Sequence, residues 1–284
     1  MAYDEKVIRQ LEEKAKTLRR ESIKMIKGAG IGWVGGSLSQ ADIITALFFH
    51  HMKHDPKNRQ WEERDRLIVS KAHCCETVYA ALGEMGYFPK EEFSSYGKLG
   101  ATLQAHTERV VPGVEYSGGS LGQGISFAVG QALAARIGAP KDQSGRPVPR
   151  YRVFCIVGDG ECDEGQVWEA AMAAAHYKID NLTAFVDHNK FQSTGTVAER
   201  MELKPLVEKW RAFGWDVMEI DGHDFGEILS ALERADKILG KPQAIIAHTV
   251  KCKGVPSFEH KNLHFCPIPD DMYAEAMEVL KERG

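Results

Sequence analysis

An aspartate between two glycines, Gly158-Asp159-Gly160, is followed thirty positions after the Asp by Asn189. Each stands just beyond an apolar run, residues 151–157 before the first and residues 182–186 before the second. A carboxylate and an amide carbonyl are hard oxygen donors suited to Mg²⁺ or Ca²⁺. The flanking glycines let the backbone approach a phosphate closely, with N–H groups near a helix start to receive it. A magnesium ion held by few protein ligands takes its remaining positions from water and phosphate oxygens. Read alone, Gly-Asp-Gly is more simply an acidic turn that closes a strand; the Asn at the end of the next run turns the reading toward metal and phosphate.

The elements that must position this pair follow from the pattern around it. Residues 151–157 are β-branched and aromatic, as in a parallel strand buried on both faces. An Ala-rich helix is expected from about Gly165 to Tyr177, and a second strand from Leu182 to Val186. This strand–helix–strand unit delivers each oxygen donor beyond a carboxyl end, where open α/β sheets bind their ligands.

With its surroundings, Gly158-Asp159-Gly160-Glu161-Cys162-Asp163-Glu164-Gly165 and Asp187-His188-Asn189-Lys190-Phe191-Gln192, the pair resembles the thiamine-diphosphate signature, and that of transketolases in particular. The resemblance extends over essentially the whole chain and corresponds to the amino-terminal third to half of a full transketolase, as in split, two-subunit versions. It implies that Asp159, Asn189 and the backbone carbonyl of Phe191 hold the metal bridging the cofactor's diphosphate, with Gly158, Gly160 and Glu161 in the cofactor-binding turn.

Further candidates appear along the chain. A helical stripe over residues 4–27 stops at a Gly-rich loop, residues 30–39, where Ser39 and Asp42 have the spacing of a capping box for the next helix. In that loop transketolases read Gly-His-Pro-Gly-Gly, whereas this chain has Gly32-Trp33-Val34-Gly35-Gly36. The family's His sits against sugar hydroxyls; Trp cannot titrate and offers one N–H and a flat face. Trp33 is therefore expected at the substrate, with an altered preference. Residues 66–71 form a strand ending near His73. By itself His73 is a capping or core residue; its match to the family's Ser-x-x-His places it along the cofactor.

Residues 87–118 hold breakers and few regular patterns, as an active-site loop region does. Within them Leu103-Gln104-Ala105-His106-Thr107 resembles the family's Gln-Gly-His-Pro, so His106 matches the residue that meets the donor's C1 hydroxyl; on its own it is as well read as a surface histidine. The backbone of Gly119-Ser120-Leu121 would line the diphosphate and thiazolium. Leu263-His264-Phe265 stands where the family reads Trp-His-Gly, and His264 would reach both diphosphate and substrate. Glu164 opens a helix, where a carboxylate suits the dipole; its family counterpart faces the partner's catalytic Glu across a subunit contact. His223, in Asp221-Gly222-His223-Asp224, is expected to be structural.

Strands at 215–220 and 243–248 and helices at 203–213, 225–239 and from Asp270 complete the pattern of one domain, 1–284, with a doubly wound parallel sheet and helices on both faces. Hydrophobic content of 43%, charged content of 27% and a net charge of −4 are those of an ordinary globular protein and point away from nucleic acid or an anionic membrane as partner. The opening Met1-Ala2-Tyr3-Asp4-Glu5-Lys6 begins a charged helix rather than a signal peptide, no run is apolar enough to span a bilayer, and six cysteines without paired metal-ligand spacing are expected as reduced thiols of a cytoplasmic protein.

The resemblance thus implies transfer of a two-carbon ketol unit from a ketose, phosphorylated or sulfonated, to an aldose, with thiamine diphosphate and Mg²⁺. His73, His106 and His264 would handle protons. The activating glutamate and the main sugar-phosphate arginines belong to a carboxyl-terminal half, expected as a separate subunit in an α2β2 assembly. A transketolase subunit specialised for sulfofructose or a branched ketose phosphate is the first alternative; an α subunit of a 2-oxo acid dehydrogenase and a non-catalytic nucleotide- or metal-binding domain are the other competing readings.

Overall fold

A computed structural model describes residues 3–281. Met1 and Ala2, at the start of the charged opening, lie outside the described residues. Helix α1 (Glu5–Ala29) begins where the Asp4 carboxylate accepts the Lys6 N–H and ends at Gly30, whose φ of 81° places it in the left-handed region. Its stripe of Leu11, Ala15, Leu18 and Ile26 is buried.

After α1 come β1 (Gly32–Trp33), α2 (Val34–Ser39), α3 (Ala41–Ala46), β2 (Arg66–Val69), α4 (Cys75–Met85), α5 (Gln123–Ala134), β3 (Val153–Gly158), α6 (Gly165–His176) and β4 (Leu182–His188). Then follow α7 (Val197–Arg200), α8 (Leu206–Ala212), β5 (Asp216–Asp221), α9 (Phe225–Lys237), β6 (Gln243–His248), β7 (Phe265–Cys266) and α10 (Asp270–Val279). The five longer strands form a parallel sheet in the order β2-β3-β4-β6-β5. Alternation along β3 and β4 divides their side chains between two cores. Phe154, Ile156 and Phe185 pack beneath α1, α3, α4 and α9; Cys155, Val157 and Val186 pack beneath α5, α6 and α8. Helices therefore cover both faces, as the pattern predicts. A smaller core joins Ile23, Val34 and Leu38 to Val255, Phe258 and Leu280, which docks the tail.

Two expectations fail at the glycine-rich stretch. Most of the predicted loop, residues 30–39, is instead β1 and α2. β1 pairs antiparallel with β7, Trp33 opposite Phe265. The glycines here signal close packing rather than a loop: a Cβ on Gly36 would lie 2.3 Å from Cys74 Sγ, and one on Gly35 2.5 Å from the Leu263 carbonyl. Nor do Ser39 and Asp42 form a capping box, because both are drawn into stronger buried bonds. Ser39 Oγ donates to Asp187 Oδ2 at 2.6 Å. Asp42 takes both Arg19 nitrogens, at 2.9 and 2.6 Å, and the His223 Nδ1–H at 2.6 Å. His223 Nε2 accepts the Val250 N–H at 2.8 Å, which confirms its structural role. Strand β4 also runs two residues past its predicted end, because β6 continues beside it to the pair His188–His248.

Candidate functional site

The carboxyl ends of β2, β3, β4 and β6 open on a cleft of about 380 Å³. Gly158, Asp159, Asn189, Phe191, His73 and His264 line it, as do Trp33, His106, Gly119 and Leu121. Ser120, between the last two, is exposed and does not line it.

At the inner end, Asp159 is 1% exposed. Its Oδ1 accepts the Gly160 N–H at 2.8 Å and its Oδ2 the Lys190 N–H at 2.5 Å. Burial, with the Asp187 charge adding to it, nevertheless pushes the carboxyl up to about 7. Asp159 is thus a buried carboxylate short of positive charge. Asp187, one strand over, is held below the usual range: burial is overcome by the Lys71 ammonium 2.5 Å away and by hydroxyl donors from Ser39 and Thr249. Asp187 also orients Asn189. The amide Nδ2 donates to Asp187 Oδ2 at 3.1 Å, which leaves Oδ1 on the side of the Phe191 N–H.

No group of three or more His, Cys, Asp or Glu with metal-binding geometry occurs among the described residues. The donors available are one carboxylate, one amide oxygen and one peptide carbonyl. That set fits a hard cation that keeps water or phosphate oxygens in its shell.

The glycines behave differently from the expectation. Gly160 N–H is taken by Asp159, and Gly158 N–H donates to Glu161 Oε2 at 2.9 Å. Neither is free for a phosphate. Glu161 itself sits beneath the turn, 2% exposed, and its other oxygen accepts the Gly122 N–H at 2.8 Å and the Ser70 hydroxyl. It therefore ties the Gly158-Asp159-Gly160 turn to the start of α5. It still lines the cleft, and burial raises its pKa against those three bonds.

Positive charge comes instead from two lysines that the sequence reading passed over. Lys71 and Lys251, 3% and 2% exposed, line the cleft. Lys71 Nζ donates to Asp187 and, at 3.2 Å, to the Gly36 carbonyl; Lys251 Nζ donates to the Gln192 carbonyl at 3.2 Å and to Asn262 Oδ1 at 2.5 Å. Each ammonium has three N–H bonds for these two protein acceptors. Both follow a strand end, so extending the search for polar residues beyond the carboxyl ends to β2 and β6 would have found them.

At the outer end three imidazoles surround the Trp33 ring, with centroids 4.9 Å away for His73, 5.5 Å for His106 and 5.2 Å for His264. Burial lowers all three. His73 is driven well below its ordinary value, with Lys71 adding repulsion; His264 falls to about 4, with Lys251 and Lys71 adding; His106 falls against the pull of Glu108. At neutral pH each ring is uncharged, with one N–H donor and one acceptor nitrogen. Trp33 uses its own N–H on the protein, donating to the Ala105 carbonyl at 2.9 Å. The expected donor toward a sugar is therefore spent, and the cleft receives the ring alone.

Glu164 is the N-cap residue of α6 and is exposed, but its side chain makes no capping bond. The expected role at the helix start is one of position only.

The chain matches the family described as transketolase, thiamine diphosphate binding domain, over residues 11–281. It is 43% identical over 276 residues to the 6-deoxy-6-sulfo-D-fructose transketolase subunit SqwG of Clostridium sp., covering 96% of this chain and 97% of that protein. An apulose-4-phosphate transketolase subunit of Phocaeicola vulgatus is 36% identical, with 97% and 95% covered. Among solved structures, the transketolase of Campylobacter jejuni superposes with a TM-score of 0.88 at 34% identity, over 96% of this chain and 43% of that one. The chain thus matches the two subunits nearly end to end and spans less than half of the solved enzyme.

Proposed function

The chain belongs to the transketolase family, and we propose that it is the diphosphate-binding subunit of a split transketolase that moves a two-carbon ketol unit from a ketose to an aldose. The observation that carries this reading is the pairing, within one cleft, of a charge-poor buried carboxylate with three neutral imidazoles.

Thiamine diphosphate, when bound, supplies the nucleophilic carbon and holds the electrons of the cleaved bond. Asp159, Asn189 Oδ1 and the Phe191 carbonyl would hold the Mg²⁺, or Ca²⁺, that accompanies its diphosphate. Lys71, Lys251, His73 and His264 would meet the remaining negative charge, beside a lining to which Gly158 to Gly160, Gly119 and Leu121 contribute. His73, His106 and His264 take and return protons at the sugar's hydroxyl and carbonyl oxygens, a task suited to imidazoles that stay neutral. Glu164, exposed at the mouth, meets the partner subunit, which supplies the pyrimidine-binding half in an α2β2 assembly. No described helix is long and apolar enough to cross a membrane; a cytoplasmic place for the 1–284 domain is part of the proposal.

The donor we favour is a ketose with a sulfonate at the end remote from its carbonyl, since the sulfofructose-acting relative is the more similar of the two subunits compared. A branched ketose phosphate is the second reading, supported by the apulose-4-phosphate relative. Turnover by the reconstituted pair on sulfofructose, xylulose 5-phosphate and apulose 4-phosphate decides between them. No ketol transfer from any ketose would overturn the function itself.

A further inference from the structure

Glu76 lies in the first turn of α4, fully buried, and has no place in the chemistry above. Its carboxylate accepts three hydrogen bonds, two from the start and body of α2 and one from the stretch after residue 95. Oε1 takes the Trp33 backbone N–H at 2.8 Å and the Tyr96 hydroxyl at 2.7 Å; Oε2 takes the Ser37 hydroxyl at 2.5 Å. No Lys, Arg or His side chain among the described residues bonds to it. A buried carboxylate without a counter-charge is costly to keep and is tolerated only when its donors are firmly set.

Two of those donors lead toward His106: the Trp33 ring packs against its imidazole, and Gly97, next to Tyr96, donates its N–H to the Leu103 carbonyl at 2.9 Å. The segment before His106 has no regular structure, yet its three successive carbonyls are each held. Cys75 Sγ approaches the Gln104 carbonyl at 3.5 Å, Trp33 Nε1–H donates to Ala105 at 2.9 Å, and the Tyr79 hydroxyl donates to His106 at 2.6 Å. Cys75, Glu76 and Tyr79 share α4, and Tyr96 begins the same irregular stretch that carries His106. Trp33, fixed at its backbone by Glu76, also faces His73 and His264.

We infer that Glu76 is a positioning residue of the active site: through Trp33 and Tyr96 it sets the 104–106 backbone, and hence the place of His106 against His73 and His264. The inference rests on the transketolase reading for its kinetic consequence only. A displacement of about 1 Å in such a group costs on the order of a hundredfold in rate.

The test uses the full chain, alone and with its partner subunit, and compares Glu76→Ala, Glu76→Gln and Trp33→Phe. In the free chain, NMR of the Trp33 indole N–H and the His106 ring reports the tie directly, whatever the enzyme's substrate. Glu76→Ala is expected to expose the indole N–H to exchange and move the His106 signals. Trp33→Phe moves the same His106 signals, and Glu76→Gln restores the wild-type pattern, since its amide oxygen can keep the Trp33 N–H and the Tyr96 hydroxyl while the Ser37 hydroxyl reverses its role and accepts from the amide nitrogen. In the complex, Glu76→Ala should lower kcat/KM by about tenfold to a hundredfold, with thiamine-diphosphate affinity within about twofold. Unmoved His106 signals in the Ala variant would overturn the inference, as would a parallel loss of cofactor affinity and activity. If Glu76→Ala does not fold, the Gln and Trp33→Phe spectra decide: His106 signals indifferent to Trp33→Phe refute the tie. Absence of turnover in the wild-type complex bears on the substrate reading and leaves the NMR comparison intact.

Discussion

Asp159 and Asn189 show how far single residues can be read. Their types and their places beyond two apolar runs suggest a hard cation and a phosphate, the resemblance makes that a diphosphate, and the fold brings them to one cleft. Replacing either by Ala is expected to abolish metal-dependent thiamine-diphosphate binding, because water cannot replace one of so few protein ligands without losing the geometry. Calorimetry checks this; an unchanged affinity would remove the assignment. The sequence was silent on which N–H groups are spent: Gly158 and Gly160 donate to carboxylates three and one positions away along the chain, a local closure that spacing does not reveal. The imidazoles give a pH prediction. His264 is near 4 in the fold against about 6.5 in an unfolded chain, so folding favours its neutral form. Its contribution to stability is complete above about pH 6.5 and declines as pH falls from there through 4. Asp42, brought down to about 2 when Arg19 and His223 overcome the cost of its burial, contributes only at lower pH: its share is complete above about 3.9 and declines as pH falls through 2. The Tm of the ligand-free chain should therefore fall between pH 6.5 and 4, with a shallower slope in His264→Gln; identical slopes would contradict the assignment.

At the scale of elements, periodicity located the sheet and its covering helices because both faces of each strand are buried and the runs are nearly unbroken. Glycines were the harder sign to read. The same residue marks a left-handed cap at Gly30, close packing at Gly36, and neither at Gly119, where an added Cβ would meet nothing within 4 Å. Only the neighbours distinguish these cases, and they lie far off in sequence. The capping-box spacing of Ser39 and Asp42 failed for a like reason, since Asp187, Arg19 and His223 compete for the same side chains. Helix α5 offers a test. A Cβ on Gly124 would stand 2.5 Å from Ser70 Cα in the backbone following β2, whereas one on Gly130 would meet nothing within 4 Å. Gly124→Ala should cost about 1–3 kcal/mol through overpacking, and Gly130→Ala should stabilise by about 0.5–1 kcal/mol through helix propensity. Urea denaturation measures both; a Gly124→Ala chain as stable as wild type would mean that α5 is free to shift off the sheet. That shift would also part the Gly122 N–H from Glu161, so cofactor affinity should fall with stability in this variant and not in the other.

For the molecule as a whole, the histidines, lysines and metal-ligand candidates all lie at one end of the sheet, on a cleft whose far side is solvent. Glu164, Gly119 and Ser120 are exposed there, although they flank the proposed diphosphate wall. An aromatic face occupies the mouth as well: Phe265 is 44% exposed and packs on Trp33 with centroids 4.4 Å apart. A site this open leaves a bound cofactor hydrated on one side, and water weakens every charge interaction that ketol transfer relies on. The isolated chain, given Mg²⁺ and thiamine diphosphate, is therefore expected to bind the cofactor and to turn over no ketose. Addition of the partner subunit should produce activity that saturates at one partner per chain, with a mass in sedimentation equal to two of each. Donor preference in that complex should follow Trp33, whose indole N–H is committed to Ala105 and cannot serve a sugar hydroxyl. Trp33→His restores a titratable donor and should shift the ratio of kcat/KM between sulfofructose and xylulose 5-phosphate by about tenfold to a hundredfold toward the latter. Turnover by rigorously purified single chain, unchanged when partner is added, would refute the split architecture. An unaltered donor ratio in Trp33→His would confine that residue to holding the 104–106 backbone.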